Sequence, residues 1–124
     1  MTLLDASLSI SEAAERTGLS THTLRYYERE GLMLGGVDRA SSSHRRYSDA
    51  DITWVTFLTK LRSTAMPIAK VREYVDLVRQ GDASTPARLA LLLAHRETVL
   101  AQLAEINNSL AAIDYKISTY RKGN

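Results

Sequence analysis

None of the 124 residues is a cysteine. Disulfide frameworks, thiolate metal sites, cysteine nucleophiles and thiol redox sensing are therefore excluded. Net charge is also scarce: 16 basic residues against 14 acidic give +2, too mild a balance to argue for nucleic acid by itself. No apolar run approaches the roughly 18 residues of a membrane-spanning helix, so none is expected. The start, Met1-Thr2-Leu3-Leu4-Asp5, lacks a basic cluster and a long apolar core, so no signal peptide is read and a cytoplasmic location fits. His22, His44 and His95 are too scattered to suggest a metal site. No Gly-rich phosphate loop, no nucleophile beside a base and no clustered acids are found, so neither an enzyme nor a cofactor is expected. What is present, 44% hydrophobic and 24% charged residues, suits a folded chain of one domain or a small module plus an arm.

Charge is informative once its distribution is considered. Between residues 16 and 46 stand Arg16, Arg25, Arg29, Arg39, Arg45 and Arg46, against only Glu28, Glu30 and Asp38. Tyr26, Tyr27 and Tyr47 lie among them, and Arg and Tyr are side chains that reach phosphate oxygens. The local pattern is two short helices. The first is expected to be capped by Ser11 and to stop at Gly18. The second is expected to be capped by Ser20, with Leu19 and Leu24 as a hydrophobic staple, and to end at Gly31. Two short helices joined through Gly-Leu-Ser form a helix-turn-helix pattern. The polar start of the second, Thr21, His22 and Thr23, suits an N-terminus aimed at DNA.

Residues 33–47 are irregular, turn-prone at Gly35-Gly36 and Ser41-Ser42-Ser43, and close on a short strand through His44-Arg45-Arg46-Tyr47. A capping box at Ser48 and Asp51 starts a third helix running to about Ser63, with Trp54 as a large anchor. A fourth opens at Met66-Pro67-Ile68 and ends at Gly81-Asp82. The last segment, from Thr85-Pro86, is the most regular. Leu89, Leu92, Arg96, Val99, Leu103, Ile106, Leu110, Ile113, Ile117 and Tyr120 step 3-4-3-4, and nine of these ten are apolar or aromatic. A seam of that length predicts a coiled coil with a partner helix, most economically the same helix of a second copy. Its dimerisation residues are then Leu89, Leu92, Val99, Leu103, Ile106, Leu110, Ile113 and Ile117.

Taken together, Leu24-Arg25-Tyr26-Tyr27-Glu28, Gly31-Leu32, Arg39, Arg45-Arg46-Tyr47, Asp51-Ile52, Leu61 to Ile68 and Arg72-Glu73-Tyr74 resemble the MerR family of transcription regulators over residues 8–122. The resemblance implies a mainly α fold. A winged helix-turn-helix DNA-binding domain would cover residues 8–81 and an antiparallel coiled-coil dimerisation helix residues 85–122. It implies a homodimer on an inverted repeat in double-stranded DNA, with the second helix in the major groove. Such a dimer would act on RNA polymerase indirectly by distorting promoter DNA. Carried over by position, Arg25 and Tyr26 contact DNA from the second helix, and Arg45 and Tyr47 contact phosphate from the wing. Arg39 and Arg46 join them as wing residues, and Arg16 and Lys60 are further backbone-contact candidates. Tyr27 and Leu24 read as core, and Glu28 as a residue that orients a nearby arginine.

The chain departs from the family pattern at Leu34-Gly35-Gly36, where a proline commonly follows the Gly-Leu pair, at Ser43-His44, where a glycine and an aromatic commonly precede the wing arginines, and at Ala65, which replaces a common glycine. If a small-molecule effector exists, its identity is not legible; the candidate pocket between helices four and five involves Tyr74, His95 and Tyr115. The competing reading is a protein-interaction or architectural coiled-coil module with nonspecific DNA affinity.

Overall fold

The computed structural model describes residues 7–35, 38–39 and 45–123. Five helices dominate: α1 (Ile10–Thr17), α2 (Thr21–Arg29), α3 (Asp49–Ser63), α4 (Ile68–Arg79) and α5 (Thr85–Arg121). Two-residue strands β1 (Asp38–Arg39) and β2 (Arg45–Arg46) pair antiparallel between α2 and α3, and a single 3-10 turn (Asp82–Ser84) precedes α5. The chain divides into two compact units, Met1–Thr85 and Pro86–Asn124. Gly36 and the serine run 41–43 lie outside the described residues.

In the first unit, local chemistry sets each helix end. Ser9, not Ser11, caps α1. The Ser9 hydroxyl accepts from the Glu12 N–H at 3.2 Å, and the Glu12 carboxylate accepts from the Ser9 N–H at 2.8 Å. Glu12 can close that reciprocal box only with the residue three before it, which selects Ser9. At the other end Gly18 takes φ +76° and donates to the Ala14 carbonyl at 2.9 Å. Only two residues, Leu19 and Ser20, separate this stop from α2. Ser20 caps α2 through the Thr23 N–H at 3.0 Å. Ser48 and Asp51 close the capping box of α3.

The core forms where α1 packs on α2 and α3, and α3 on α4. Ala13, Leu24, Leu32, Tyr47, Val55, Leu58 and Val71 are almost wholly removed from water there. Burying a side chain the size of leucine or valine contributes about 1.5–3 kcal/mol. At the rim of this core Trp54 stacks on Tyr74 with ring centroids 5.9 Å apart, and Phe57 meets Tyr74 at 5.7 Å.

The second unit is α5 alone. At 37 residues it is about 55 Å long, and none of its residues is buried. The apolar seam lies open along it: Leu89, Leu103, Ile106, Leu110, Ile113 and Ile117 all have two-fifths or more of their surface exposed, Ile106 as much as 62%. No helix among the described residues is long and apolar enough to cross a membrane.

Candidate nucleic-acid interface

Helix α2 separates two kinds of residue by its own period. Leu24 and Tyr27 point into the core. His22, Arg25 and Arg29, spaced three and four apart, therefore share the opposite face and are exposed. Thr21, Thr23 and Tyr26 are half-buried along the border. Thr23 is also part of the cap, its hydroxyl 3.0 Å from that of Ser20. In the sequence alone Arg29 reads only as part of the basic cluster. Its place four residues after Arg25 is the signal that puts it on the same exposed face.

The hairpin corrects two expectations. Tyr47 is not a phosphate contact: it is 0% exposed. Its hydroxyl donates to Glu28 Oε2 at 2.9 Å, and its backbone exchanges two 2.7 Å hydrogen bonds with Leu8. The tyrosine thus joins the hairpin to α2 and to the strand-like segment before α1. Glu28 thus accepts a hydrogen bond from a tyrosine. Arg46 is turned inward too, Nη2 donating to the Ser7 carbonyl at 2.7 Å and Nε to the Ser7 hydroxyl at 3.3 Å. The backbones of Arg39 and Arg45 pair with each other, while their side chains lie outside what is described. Arg16, in the last turn of α1, and Lys60, in the last turn of α3, are both exposed.

What holds α2 in place was not read from the sequence. Four successive carbonyls after its last turn accept hydrogen bonds from side chains of α3 and α4. Arg72 Nη1 donates to the Glu30 carbonyl at 2.9 Å, and its other terminal nitrogen pairs with the Glu30 carboxylate. Arg79 donates to the Gly31 carbonyl at 2.7 Å and to that of Met33. The Trp54 indole N–H donates to the Leu32 carbonyl at 2.8 Å. The C-terminal end of a helix carries partial negative charge and unsatisfied carbonyls, so two guanidiniums there are well placed. Arg72 and Arg79 are seven residues apart, hence on one face of α4. That spacing is the one sequence signal that could have pointed to them.

His95 and Tyr115 stand twenty positions apart on the unbroken α5, which separates them by about 30 Å. No small cavity of a single chain can have both as walls. Tyr74 is engaged in the stack with Trp54 and Phe57.

Comparison with known proteins identifies this arrangement. The profile of the family described as MerR HTH family regulatory protein matches residues 8–77. An uncharacterized HTH-type transcriptional regulator of Haemophilus influenzae is 34% identical over 112 residues, covering 90% of this chain and 82% of the relative. The HTH-type transcriptional regulator AdhR of Bacillus subtilis is 36% identical over 93 residues, covering 75% and 66%. Among solved structures, HiNmlR, described as a MerR family regulator lacking the sensor domain and bound to promoter DNA, superposes with a TM-score of 0.87. It is 31% identical, and the match covers 93% of this chain and 86% of that one. With its helix-turn-helix, its hairpin and its long terminal helix, the chain belongs to the MerR family and is a DNA-binding regulator of transcription.

Proposed function

We propose that the protein works as a homodimer in the cytoplasm, its two α5 helices paired antiparallel and its two helix-turn-helix units reading the halves of an inverted-repeat promoter site. The open seam of α5 carries this reading. A contiguous ridge of leucine and isoleucine at 3-4-3-4 spacing is an aggregation hazard unless another helix covers it. Each α2 would enter a major groove, presenting Thr21, His22, Arg25, Tyr26 and Arg29, with the hairpin along the flanking phosphates. Arg16 and Lys60 would add sequence-independent phosphate contacts. A dimer of fixed spacing that grips both half-sites can bend or untwist the DNA between them. Such distortion costs on the order of a few kcal/mol, enough for a change in dimer geometry to alter how RNA polymerase meets the promoter.

Footprinting of promoter DNA with the purified chain tests this. The expected result is a two-fold symmetric protected site whose affinity falls steeply with salt. R25A is expected to lower affinity for that site by about 1–3 kcal/mol. Operator binding by R25A equal to wild type at moderate salt would refute the placement of α2.

A further inference from the structure

One residue interrupts the apolar ridge of α5. Arg96 occupies the third of the ten seam positions. It is exposed, and its ion-pair contact is to Glu97 at 3.9 Å, an adjacent residue that points away from the seam. A cation on a packing seam needs an answer from the partner helix, so Arg96 discriminates between the ways two copies can pair.

In a parallel, in-register pair every seam residue meets its own copy. Arg96 then faces the partner's Arg96. On the flank, Lys116 faces the partner's Arg121, five residues further along, as flanking positions do in parallel pairs. Both contacts are repulsive. In an antiparallel pair with all ten positions matched, Leu89 is level with the partner's Tyr120, and Leu92 with the partner's Ile117. Arg96 is then level with the partner's Ile113, Val99 with the partner's Leu110, and Leu103 with the partner's Ile106. No seam residue overhangs. The residue beside Ile113, on the flank that meets Arg96 in this orientation, is Asp114. One residue of offset is about 1.5 Å along the axis, well within reach of an arginine. Asp114 is exposed and makes no hydrogen bond or ion pair with the described residues of its own chain.

Register is discriminated as well as direction. Sliding the antiparallel pair by one heptad moves the partner by about 10 Å. It leaves seam residues uncovered and replaces the partner's Asp114 beside Arg96 with the partner's Asn107 or the partner's Arg121. The first is neutral and the second repels.

We propose that Arg96 and the partner's Asp114 form an ion pair, repeated by the two-fold axis, which sets the direction and register of the α5 coiled coil. This rests on the homodimer reading above. Register matters to function because it fixes the separation of the two α2 helices, and with it the half-site spacing the dimer accepts.

Charge exchange in the full chain tests the pair. Dissociation constants from sedimentation over a dilution series are expected to rise at least about tenfold for R96D and for D114R. In the R96D/D114R double variant, where the pair is restored with its signs exchanged, the constant is expected to return to within about threefold of wild type. A double variant no tighter than the weaker single variant would overturn the pair, as would single variants as tight as wild type. Because the chain has no cysteine, direction can be read without background. L89C/Y120C is expected to give a covalent dimer under oxidation and L89C alone none; efficient self-linkage of L89C would overturn the antiparallel direction. Wild type sedimenting as a monomer at micromolar concentration would instead refute the homodimer itself, so the two failures are distinct.

Discussion

Helices α2 and α3 end in the same hydrogen-bonded turn but place different residues at its strained position. After α2, the Gly31 N–H bonds to the Glu28 carbonyl at 3.1 Å and the Leu32 N–H to the Tyr27 carbonyl at 2.9 Å. After α3, the Ala65 N–H bonds to the Arg62 carbonyl and the Met66 N–H to the Leu61 carbonyl, both at 3.0 Å. Each is the paired-bond helix stop in which one residue must enter the left-handed region. Gly31 and Ala65 both have φ +71°. Glycine adopts that angle freely, whereas an L-residue pays roughly 1–2 kcal/mol.

Ala65→Gly therefore removes a strain of that size. Against it stands the greater freedom of glycine in the unfolded chain, worth roughly 0.5–1 kcal/mol. Ala65 is exposed, so no buried methyl is lost. The net expectation is a gain of about 0.5–1 kcal/mol. Gly31→Ala is the reverse experiment. A Cβ built on Gly31 meets no atom within 4 Å, so its cost is conformational, about 0.5–1 kcal/mol. Urea unfolding by circular dichroism, at one fixed protein concentration because association shifts apparent stability, reads both. The midpoint should rise for A65G and fall for G31A with unchanged slope. A midpoint for A65G at or below wild type would refute the reasoning, since it would mean that the turn after α3 is not strained at Ala65.

Two further variants test how α2 is held. Tyr47→Phe removes the buried hydroxyl that donates to Glu28; it is expected to lower stability by about 1–3 kcal/mol, and unfolding midpoints equal to wild type would show the bond to be dispensable. Arg72→Ala removes donors to the backbone and side chain of Glu30 without touching the exposed face of α2. Its operator affinity is expected to fall by about tenfold while the slope of log affinity against log salt stays at the wild-type value, because no phosphate contact is lost; a shallower slope would instead make Arg72 itself a DNA contact.

The elements that the sequence discloses are those with local signals. The 3-4-3-4 run of α5, the Ser48–Asp51 box, the Ser20 cap and the Gly18 and Gly31 stops each fit within a few residues of chain. Ser9 was also legible: Glu12 stands three residues after it, and the reciprocal box distinguishes it from Ser11, which has no such partner. Tyr47 and Arg46 were not legible in the same way. Beside arginine in a two-residue strand, either face can be the inner one. The choice falls to contacts with Leu8, Ser7 and Glu28, which lie 19 to 39 positions away.

The clasp on residues 30–33 is further still from local reading, since its arginines come from 42 to 48 positions downstream. Its charge pattern nevertheless has a rationale. In the proposed complex the exposed face of α2 meets an anionic duplex and gains from cations there. Its C-terminal carbonyls need cations too, so that the helix does not shift when the other end is loaded. Arginine therefore serves two distinct purposes here. Arg25 and Arg29 stay exposed, whereas Arg72 and Arg79 are bound to backbone. A count of basic residues along the chain cannot separate the two sets, because only the fold decides which guanidiniums have carbonyls to hold.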